Sequence, residues 1–428
     1  MVRLCGWLGD GIMPLGAEKA GLMGAAGGLA GNYFGDGSLG VCQFGASSIT
    51  QTGDSTSIDT VLSTGSEAGG PGSSSYGYDV PNSSACYEGT VLSTDGAYDG
   101  DMVLMQFDTL TIDASVTLTT DQPCRGLFVY VKNDCTINGA LSMTSRGGLS
   151  DPTASGGSDS NAVAAGGLQL SVLTSGGSDS FTNDGTGFNG AGTTIRTAIA
   201  NQTNTSSDGT TFTISKLGGV AIPKSGVSSC SATHGTTGSS GVTGAVTIST
   251  GGGGTGGSYR ADCGSTGYGG GGGAGGAFSA GAGGGATARA AGSGDNVGGN
   301  YGGAGGTAVG FNSGSGSSNG SGNPPGSQTA YSGAVGNEGV GGIIWLVVGG
   351  DLTIGSGATI EANGVTGGAG AGSGASGGSS GAGAIMVLYV GTLTNNGAIE
   401  VIGGPAEATG QADGGQGGSG GKHTAQIE

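Results

Sequence analysis

The chain has 428 residues, of which 107 are glycine and only 9% are charged, and its formal net charge is −18. Ordinary globular domains contain about 7% glycine and about 25% charged residues, so this composition argues against an ordinary packed enzyme core. The eleven Lys and Arg residues are scattered along an acidic chain. This argues against a nucleic-acid-binding surface, because neutralising phosphates requires clustered positive charge.

The N-terminal sequence MVRLCGWLGDGIMPLG, residues 1–16, interrupts every apolar run with Gly or Asp, which makes it a poor secretory signal. No stretch of the chain approaches the roughly 20 apolar residues of a membrane span, so we expect no membrane insertion. Residues 17–28, AEKAGLMGAAGG, are long enough for a helix of about two turns. Such a short helix is marginal alone and would order only against a partner. A frayed tail is the alternative.

The seven cysteines contain no C-x-x-C pair, so the sequence indicates neither a zinc site nor a redox motif. An odd number of cysteines also weakens the case for a disulfide framework. We expect free, partly buried thiols, and no metal or cofactor. The cysteines are Cys5, Cys42, Cys86, Cys124, Cys135, Cys230 and Cys263.

After a polar region of strands and loops at 46–100, a repeating unit begins, in residues 101–148 and again in 342–404. Each unit has an apolar strand such as IIWLVV, a short polar break, an alternating strand such as LTI, a Gly or Asn turn and a second alternating strand. The apolar strand is typical of a strand covered on both faces, and the alternating strands of strands with one buried face. Aligned on the first alternating strand, Leu110, Cys135, Leu352 and Leu393 occupy one position.

A unit of this size cannot bury its apolar face alone, so we expect the units to stack. The predicted fold class is all-β, with stacked β-solenoid or β-sandwich units and long glycine-rich, polyglycine-II-like loops. The turns GSG and NNG favour a positive φ, and Asn-Gly between alternating strands is also the strongest local signal for a β-hairpin. The alternative is therefore that each unit is simply a hairpin.

Glycine and serine dominate residues 149–341 and the tail at 405–428. Composition alone favours a flexible linker. The other interpretation is a bundle of extended threefold helices that pack side by side and bond to one another, which glycine permits because it has no Cβ. We favour the bundle, since the glycine tracts leave and re-enter one β core at the ends of its units.

The sequence offers few candidates for catalysis. His234 and His423 have no surrounding signature, and two ligands such as Cys230 and His234 do not make a metal site. A carboxylate pair about 5–9.5 Å apart would suit polysaccharide cleavage, and Glu361 and Glu400 occupy similar positions in adjacent units. We expect no enzyme, because outward positions of an acidic β protein carry acids in any case. The other acids at such positions are Asp113, Asp134 and Asp351.

Several phrases carry a resemblance to a known class of proteins: MPLGAEKAGLMGAAGG, NYFGDGSLG, YDGDMVLMQFDTLTI and the recurring GGIIWLVV, DLTI and ATIEANG. They resemble glycine-rich tail fibre and virion structural proteins of tailed bacteriophages of marine bacteria. The similarity covers residues 13–148 and 335–404, and the glycine tracts also resemble tail-fibre adhesins built on packed polyglycine helices. The resemblance implies a virion fibre, spike or adhesin.

On this interpretation residues 1–45 attach the protein to other virion proteins, and residues 149–341 contact the host receptor, a protein or a glycan. We expect a homo-oligomer such as a trimer, assembled in the host cytoplasm and located in the virion. The alternative is a structural component without a ligand, such as a capsid decoration or a fibre shaft; a polysaccharide depolymerase is a further alternative. Deleting residues 250–335 would distinguish an adhesin from a purely structural protein.

Aromatic residues in the glycine-rich region are the candidate receptor contacts, because exposed tyrosine supplies contact area at a low entropic cost. The alternative is that these side chains fill gaps between the bundle and the β core. The candidates are Tyr259, Arg260, Tyr268, Phe278, Tyr301, Phe311 and Tyr331.

Overall fold

The structure, a computed structural model, describes residues 34–53, 100–150, 234–260 and 339–427, with gaps at 36, 38, 47–48, 121–123, 255, 371–374 and 410–411. It also describes short pieces at 63–64, 77–80, 162–164, 168–170, 202–205, 210–215, 267–269, 273, 275–276 and 309–310. The described residues contain strands and no α-helix, so the described part of the protein is all-β. Residues 17–28, with their predicted helix, lie outside the described residues.

The strands in the first half of the chain are β1 (Val41–Phe44), β2 (Ile49–Thr52), β3 (Ser63–Thr64), β4 (Gly77–Val80), β5 (Gly100–Phe107), β6 (Thr109–Ile112), β7 (Thr117–Thr120), β8 (Cys124–Val131), β9 (Cys135–Ile137), β10 (Ala140–Ser142), β11 (Gly148–Ser150), β12 (Ala162–Ala164), β13 (Leu168–Leu170), β14 (Gln202–Thr205) and β15 (Thr211–Ser215). The second half contains β16 (Thr247–Ser249), β17 (Ser258–Arg260), β18 (Gly267–Gly269), β19 (Val309–Gly310), β20 (Ile343–Val348), β21 (Leu352–Ile354), β22 (Thr359–Glu361), β23 (Ala384–Tyr389), β24 (Leu393–Asn395), β25 (Ala398–Glu400) and β26 (Lys422–Gln426).

Three larger sheets contain most of these strands. Sheet 1 has the order β26-β23-β20-β8-β5, sheet 2 the order β2-β1-β6-β9-β21-β24, and sheet 3 the order β25-β22-β10-β7-β4-β3. Neighbouring strands are parallel throughout sheet 1, and the antiparallel pairs β1–β2 and β3–β4 end sheets 2 and 3. Three small sheets, β11-β12-β13, β14-β15-β16 and β17-β18-β19, complete the described strands.

Each repeating unit contributes one strand to each of the three larger sheets. The units are β5–β7, β8–β10, β20–β22 and β23–β25. The hairpin alternative is wrong, because β9 and β10 lie in different sheets and each pairs with the equivalent strand of the next unit. The stacking of units, rather than local pairing, therefore builds the sheets.

The alignment of the units is confirmed by the strand register. Leu110 pairs with Cys135, Cys135 with Leu352, and Leu352 with Leu393. Nearly 200 residues separate units two and three in sequence, yet β8 and β20 pair without a shift. The repeat pattern alone thus fixed the register, because a slip of one residue would turn every apolar side chain to the opposite face.

A hydrophobic core lies among the three sheets and contains residues from all of them. Ile344, Leu346 and Val348 of sheet 1 face this core and are fully buried, as predicted, together with Val387. The continuous apolar run of β23 predicts that Tyr389 is equally buried, but it is only partly buried, since it is the last residue of the strand. The alternating strands also follow prediction: Leu352 and Ile354 are buried, and Thr353 between them is half-buried.

The other face of sheet 1 carries a second hydrophobic cluster. Ile343, Trp345 and Val347 belong to it, so β20 is buried on both faces, as its continuous apolar run predicts. Phe212 of β15 and Ile248 of β16 cover this face. The apolar run is therefore the layer between two cores rather than the edge of one.

The Asn-Gly turns do not make hairpins; they turn the chain from sheet 2 into sheet 3. Gly139 and Gly397, expected to need a positive φ, do not have one. A Cβ on Gly139 would lie 2.1 Å from the Val116 carbonyl oxygen, and one on Gly397 would lie 2.4 Å from that of Ala358. Glycine is required at these corners because the neighbouring unit approaches closely. In the GSG turn between β21 and β22, Gly357 does have a positive φ, of 80°.

At the corner between sheets 1 and 2, aspartate side chains link successive units. Asp134 Oδ1 accepts a hydrogen bond from the Asp351 amide at 2.9 Å, and Asp351 Oδ1 accepts one from the Thr392 amide at 2.6 Å. Each carboxylate thus satisfies a backbone donor of the following unit. These acids, which the sequence placed at outward positions, hold the stack together at its corner.

Candidate functional site

The glycine-rich segments beside the sheets bond to one another through their backbones. We call the segments 234–244, 249–257, 273–276, 362–370, 375–383, 401–409 and 412–421 the glycine bundle. Between 249–257 and 375–383, every third amide donates to the neighbouring segment, at 2.9 Å in each case. These bonds run from Gly251 to Ala382, from Gly254 to Ser379 and from Gly257 to Ser376.

The same spacing of three joins 375–383 to 412–421, where the segments run parallel. The bonds run from Ser376 to Ala412, from Ser379 to Gly415 and from Ala382 to Gly418, at 2.9–3.0 Å. A β-strand donates to a given neighbour at every second residue, whereas an extended threefold helix repeats every third residue. The hydrogen bonds between these segments therefore repeat every third residue, unlike those of a β-strand.

Many glycines of the bundle leave no room for a side chain. A Cβ on Gly383 would lie 1.6 Å from the Gly342 carbonyl oxygen, one on Gly414 would lie 1.8 Å from that of Gly377, and one on Gly417 would lie 1.9 Å from that of Ser380. Carbon and oxygen atoms that are not bonded do not approach so closely. These glycines are thus sterically required.

The segments of the bundle differ in how many of every three consecutive residues (a triplet) are glycine. This number depends on whether the segment lies inside the bundle or at its surface. Segment 412–422 reads ADGGQGGSGGK, and its non-glycine residues Gln416, Ser419 and Lys422 are exposed while most of the glycines between them are buried. Segment 375–383, ASGGSSGAG, contains only small residues and is buried throughout. Segment 235–244, GTTGSSGVTG, has one glycine in three and is mostly half-buried or exposed. Interior segments thus have small residues at every position, whereas outer segments have larger side chains at the positions that face solvent.

Buried serines replace glycine inside the bundle where their hydroxyl groups find partners. Ser379 Oγ accepts a hydrogen bond from the Gly367 amide at 3.0 Å and donates to the Pro405 carbonyl at 2.5 Å. Ser380 Oγ accepts from the Val365 amide at 2.9 Å. Each hydroxyl bridges two segments that a glycine would only contact, and this adds to the rigidity of the bundle.

The candidate receptor residues that the structure describes lie where the chain leaves the bundle. Gly257 is the last bonded glycine of its segment, and β17, with Tyr259 and Arg260, begins at the next residue. β17 pairs antiparallel with β18, and Tyr259 and Tyr268 are directly opposite in the register. The remaining candidates, Phe278, Tyr301, Phe311 and Tyr331, lie outside the described residues.

The predicted acidic neighbours are indeed adjacent. Glu361 and Glu400 are register partners in β22 and β25, and Ser142 Oγ donates to Glu361 Oε1 at 2.9 Å. Asp113 accepts two hydrogen bonds from Gln43 Nε2, at 2.9 and 3.0 Å. In the part of the chain that the structure describes, no three His, Cys, Asp or Glu side chains come together as metal ligands.

The two histidines lie at separate places in the described part of the chain. His234 Nδ1 lies 2.9 Å from Asp413 Oδ2, at one end of the bundle. His423 stacks on Phe212 with ring centroids 6.1 Å apart, and burial lowers the pKa of its imidazole. Cys230, considered with His234 as a ligand pair, lies outside the described residues.

In the described part of the chain, Cys42 and Cys135 are free and buried thiols. Burial raises the pKa of Cys42 to about 12. Burial, and to a lesser degree the charge of Asp134, raises the pKa of Cys135 to about 12 as well. For these two residues, the expected free thiols are confirmed, and their role is in packing.

Comparison of the chain with family models, curated proteins and solved structures found no match. Among the described residues, no helix has the length and apolar character needed to cross a membrane.

Proposed function

We propose that this chain is a fibre, spike or adhesin protein of a tailed bacteriophage virion, which binds the host cell surface through its glycine-rich loops. The observation that carries the proposal is the hydrogen-bonded segment 249–257, which leads directly into the strand with Tyr259 and Arg260. A receptor-binding loop needs a rigid base, because ordering a flexible loop on binding costs affinity. The bundle supplies such a base, and a flexible linker would not.

The proposal includes a finer description of the fold. Four units with one strand in each of three sheets, all in parallel register, are the arrangement of a three-sided β-solenoid. The period of three in the bundle, and its close contacts between backbones, are the arrangement of polyglycine II helices. On this description the β-solenoid is the shaft, and the polyglycine helices are a second layer that positions the loops.

The proposal extends to the partners expected from the resemblance. Residues 1–45 would attach the chain to other virion proteins, and copies of the chain would associate as a homo-oligomer such as a trimer. Light scattering on the purified protein measures the number of copies directly. No catalytic role is proposed for Glu361 and Glu400, because Glu361 already holds the Ser142 hydroxyl group.

Adsorption of the purified protein to a panel of marine bacterial isolates tests the proposal. Deleting residues 250–335 would not test the candidate contacts alone. It would also remove hydrogen bonds of the bundle, such as those that the Gly251 and Gly254 amides donate. The double variant Tyr259→Ala/Tyr268→Ala changes the candidate contacts and leaves the bundle glycines in place. Gln416→Ala, at an exposed position of the bundle, is the matched control.

We expect the parent and Gln416→Ala proteins to adsorb equally to at least one isolate, and the double variant to lose most of this adsorption. Equal adsorption by all three proteins would show that the contact with the host does not involve Tyr259 in β17 or Tyr268 in β18. Failure of the parent to adsorb to any isolate would contradict host binding and favour the purely structural alternative, a capsid decoration or a fibre shaft.

A further inference from the structure

A groove lies at the end of the stack where sheets 2 and 3 stop. Among the described strands, β24 and β25 have no further neighbour on this side, whereas β26 continues sheet 1. The groove has a volume of about 720 Å³, within the range of about 300–1,000 Å³ typical of small-ligand sites. We call it the end groove; it is lined by Thr243, Asn395, residues 397–402, Ser419, Gly420 and residues 422–424.

Side chains of β26 bond to one carbonyl group of β25 and to two carbonyl groups in the corner between β23 and β24. Lys422 Nζ donates to the Ile399 carbonyl oxygen of β25. Gln426 Nε2 donates to the carbonyl oxygens of Val390 and Gly391, at 2.9 and 3.0 Å. A lysine on an open edge also discourages pairing with another strand. At the Ile399 carbonyl, a further strand would have to displace the Lys422 ammonium group.

The floor of the end groove is apolar. Ile399 is partly buried against the core, and Ile402 is 51% exposed, one of the few large apolar side chains with that exposure in the described residues. The glycine bundle forms one wall, and Ser419 projects from it at an exposed triplet position. Ring carbon atoms of a ligand would thus find an apolar surface, with polar groups around it.

The rim of the end groove is polar and has little net charge. Glu400 and Lys422 both line the groove and have opposite charges. Hydroxyl and amide groups complete the rim; they belong to Thr243, Asn395, Ser419 and Thr424. Uncharged donors and acceptors around an apolar floor suit a ligand with many hydroxyl groups and no charge.

We propose that the end groove binds a neutral saccharide of the host surface, at a site separate from the loops that contain Tyr259 and Tyr268. This inference rests on the proposed host-binding function, because a saccharide site is useful to a protein that meets a cell envelope. It adds a second contact, which would strengthen attachment when both sites are occupied.

A printed array of neutral oligosaccharides tests the inference with two matched variants. Ser419→Trp places an indole in the groove, whereas Gln416→Trp places the same side chain one triplet earlier, outside the groove residues. Both positions are exposed and both use only their backbone carbonyls in the bundle, so neither change should disturb folding. Equal melting temperatures of the two variants check this.

We expect the parent and Gln416→Trp proteins to bind the same oligosaccharides, and Ser419→Trp to bind them at least about tenfold more weakly. Equal binding by both variants, or no binding by the parent to any neutral oligosaccharide, would overturn the inference. A change in the number of copies, measured by light scattering, for Ser419→Trp alone would also overturn it and assign the groove to a second copy. Adsorption to cells by the Tyr259→Ala/Tyr268→Ala variant reports separately on the proposed function.

Discussion

Replacing Gly417 by alanine should destabilise the protein, although the same change in a flexible segment would not. The added Cβ would lie 1.9 Å from the Ser380 carbonyl oxygen, whereas a normal contact requires more than about 3 Å. The two segments would have to separate by about 1 Å or more. The Ser379 amide donates to the Gly415 carbonyl at 2.9 Å and the Ala382 amide to the Gly418 carbonyl at 3.0 Å, so separating these two segments would strain or break a buried hydrogen bond.

The expected loss combines two effects. Overpacking costs about 1–3 kcal/mol, and leaving a buried amide without its partner costs about 1–3 kcal/mol more. The free energy of unfolding should therefore fall by about 2–6 kcal/mol. At about 2 °C per kcal/mol for a large domain, the melting temperature should fall by about 4–12 °C. Differential scanning calorimetry measures both the shift and its cooperativity.

The neighbouring Gln416→Ala variant is the control, because Gln416 is exposed at the outward position of the same triplet. It should change the free energy of unfolding by no more than about 0.5 kcal/mol. In a flexible linker, Gly417→Ala would instead stabilise by up to about 1 kcal/mol through the unfolded chain. The sign of the change therefore decides the question, and an unchanged or raised melting temperature for Gly417→Ala would refute the bundle.

Three further predictions concern the β core. Leu346→Asp should prevent folding, because Leu346 is fully buried and an unpaired charge there has no partner; a soluble protein with the parent circular dichroism would contradict this. Cys42 and Cys135 should not react with maleimide at pH 8 until the protein is unfolded, because their raised pKa leaves almost no thiolate. Mass spectrometry of labelled peptides measures the reaction, and rapid labelling of the folded protein would contradict this prediction. Asp351→Ala should lower the free energy of unfolding by about 0.5–1.5 kcal/mol, since it removes the exposed hydrogen bond to the Thr392 amide, whereas Asp351→Asn keeps an acceptor and should cost less; chemical denaturation compares them, and equal losses would contradict the corner link.

The β core could be predicted from the sequence because its signals are local and repeated. The alternation of LTI, the continuous run IIWLVV and the equivalent positions of Leu352 and Leu393 are visible without knowing any contact between units. Period-two alternation fixes which side chains are buried, and it therefore fixes the register. The Asn-Gly turns left the hairpin alternative open, because the same dipeptide suits a hairpin and a corner between two sheets. Only contacts with the neighbouring unit distinguish these two structures.

The glycine bundle was harder to predict, since its contacts join segments far apart in the chain. The Gly241 amide donates to the carbonyl of Ser419, and nothing near Gly241 in sequence indicates this partner. A usable signal was nevertheless present in GGQGGSGG, residues 414–421, where pairs of glycine alternate with single outward residues. The clustering of Tyr259 with the end of the bundle depends on the same distant contacts, so the position of the candidate site could not be predicted either.

Amide hydrogen exchange of the glycine segments tests the central claim most directly. If segments 249–257 and 412–421 are bonded as the structure shows, their peptides should exchange slowly, on the timescale of the core strand β20. The amides of Gly254 and Gly417 should be among the protected ones. Complete exchange of both segments within seconds, while β20 stays protected, would show that the glycine-rich region is a linker and would contradict the account.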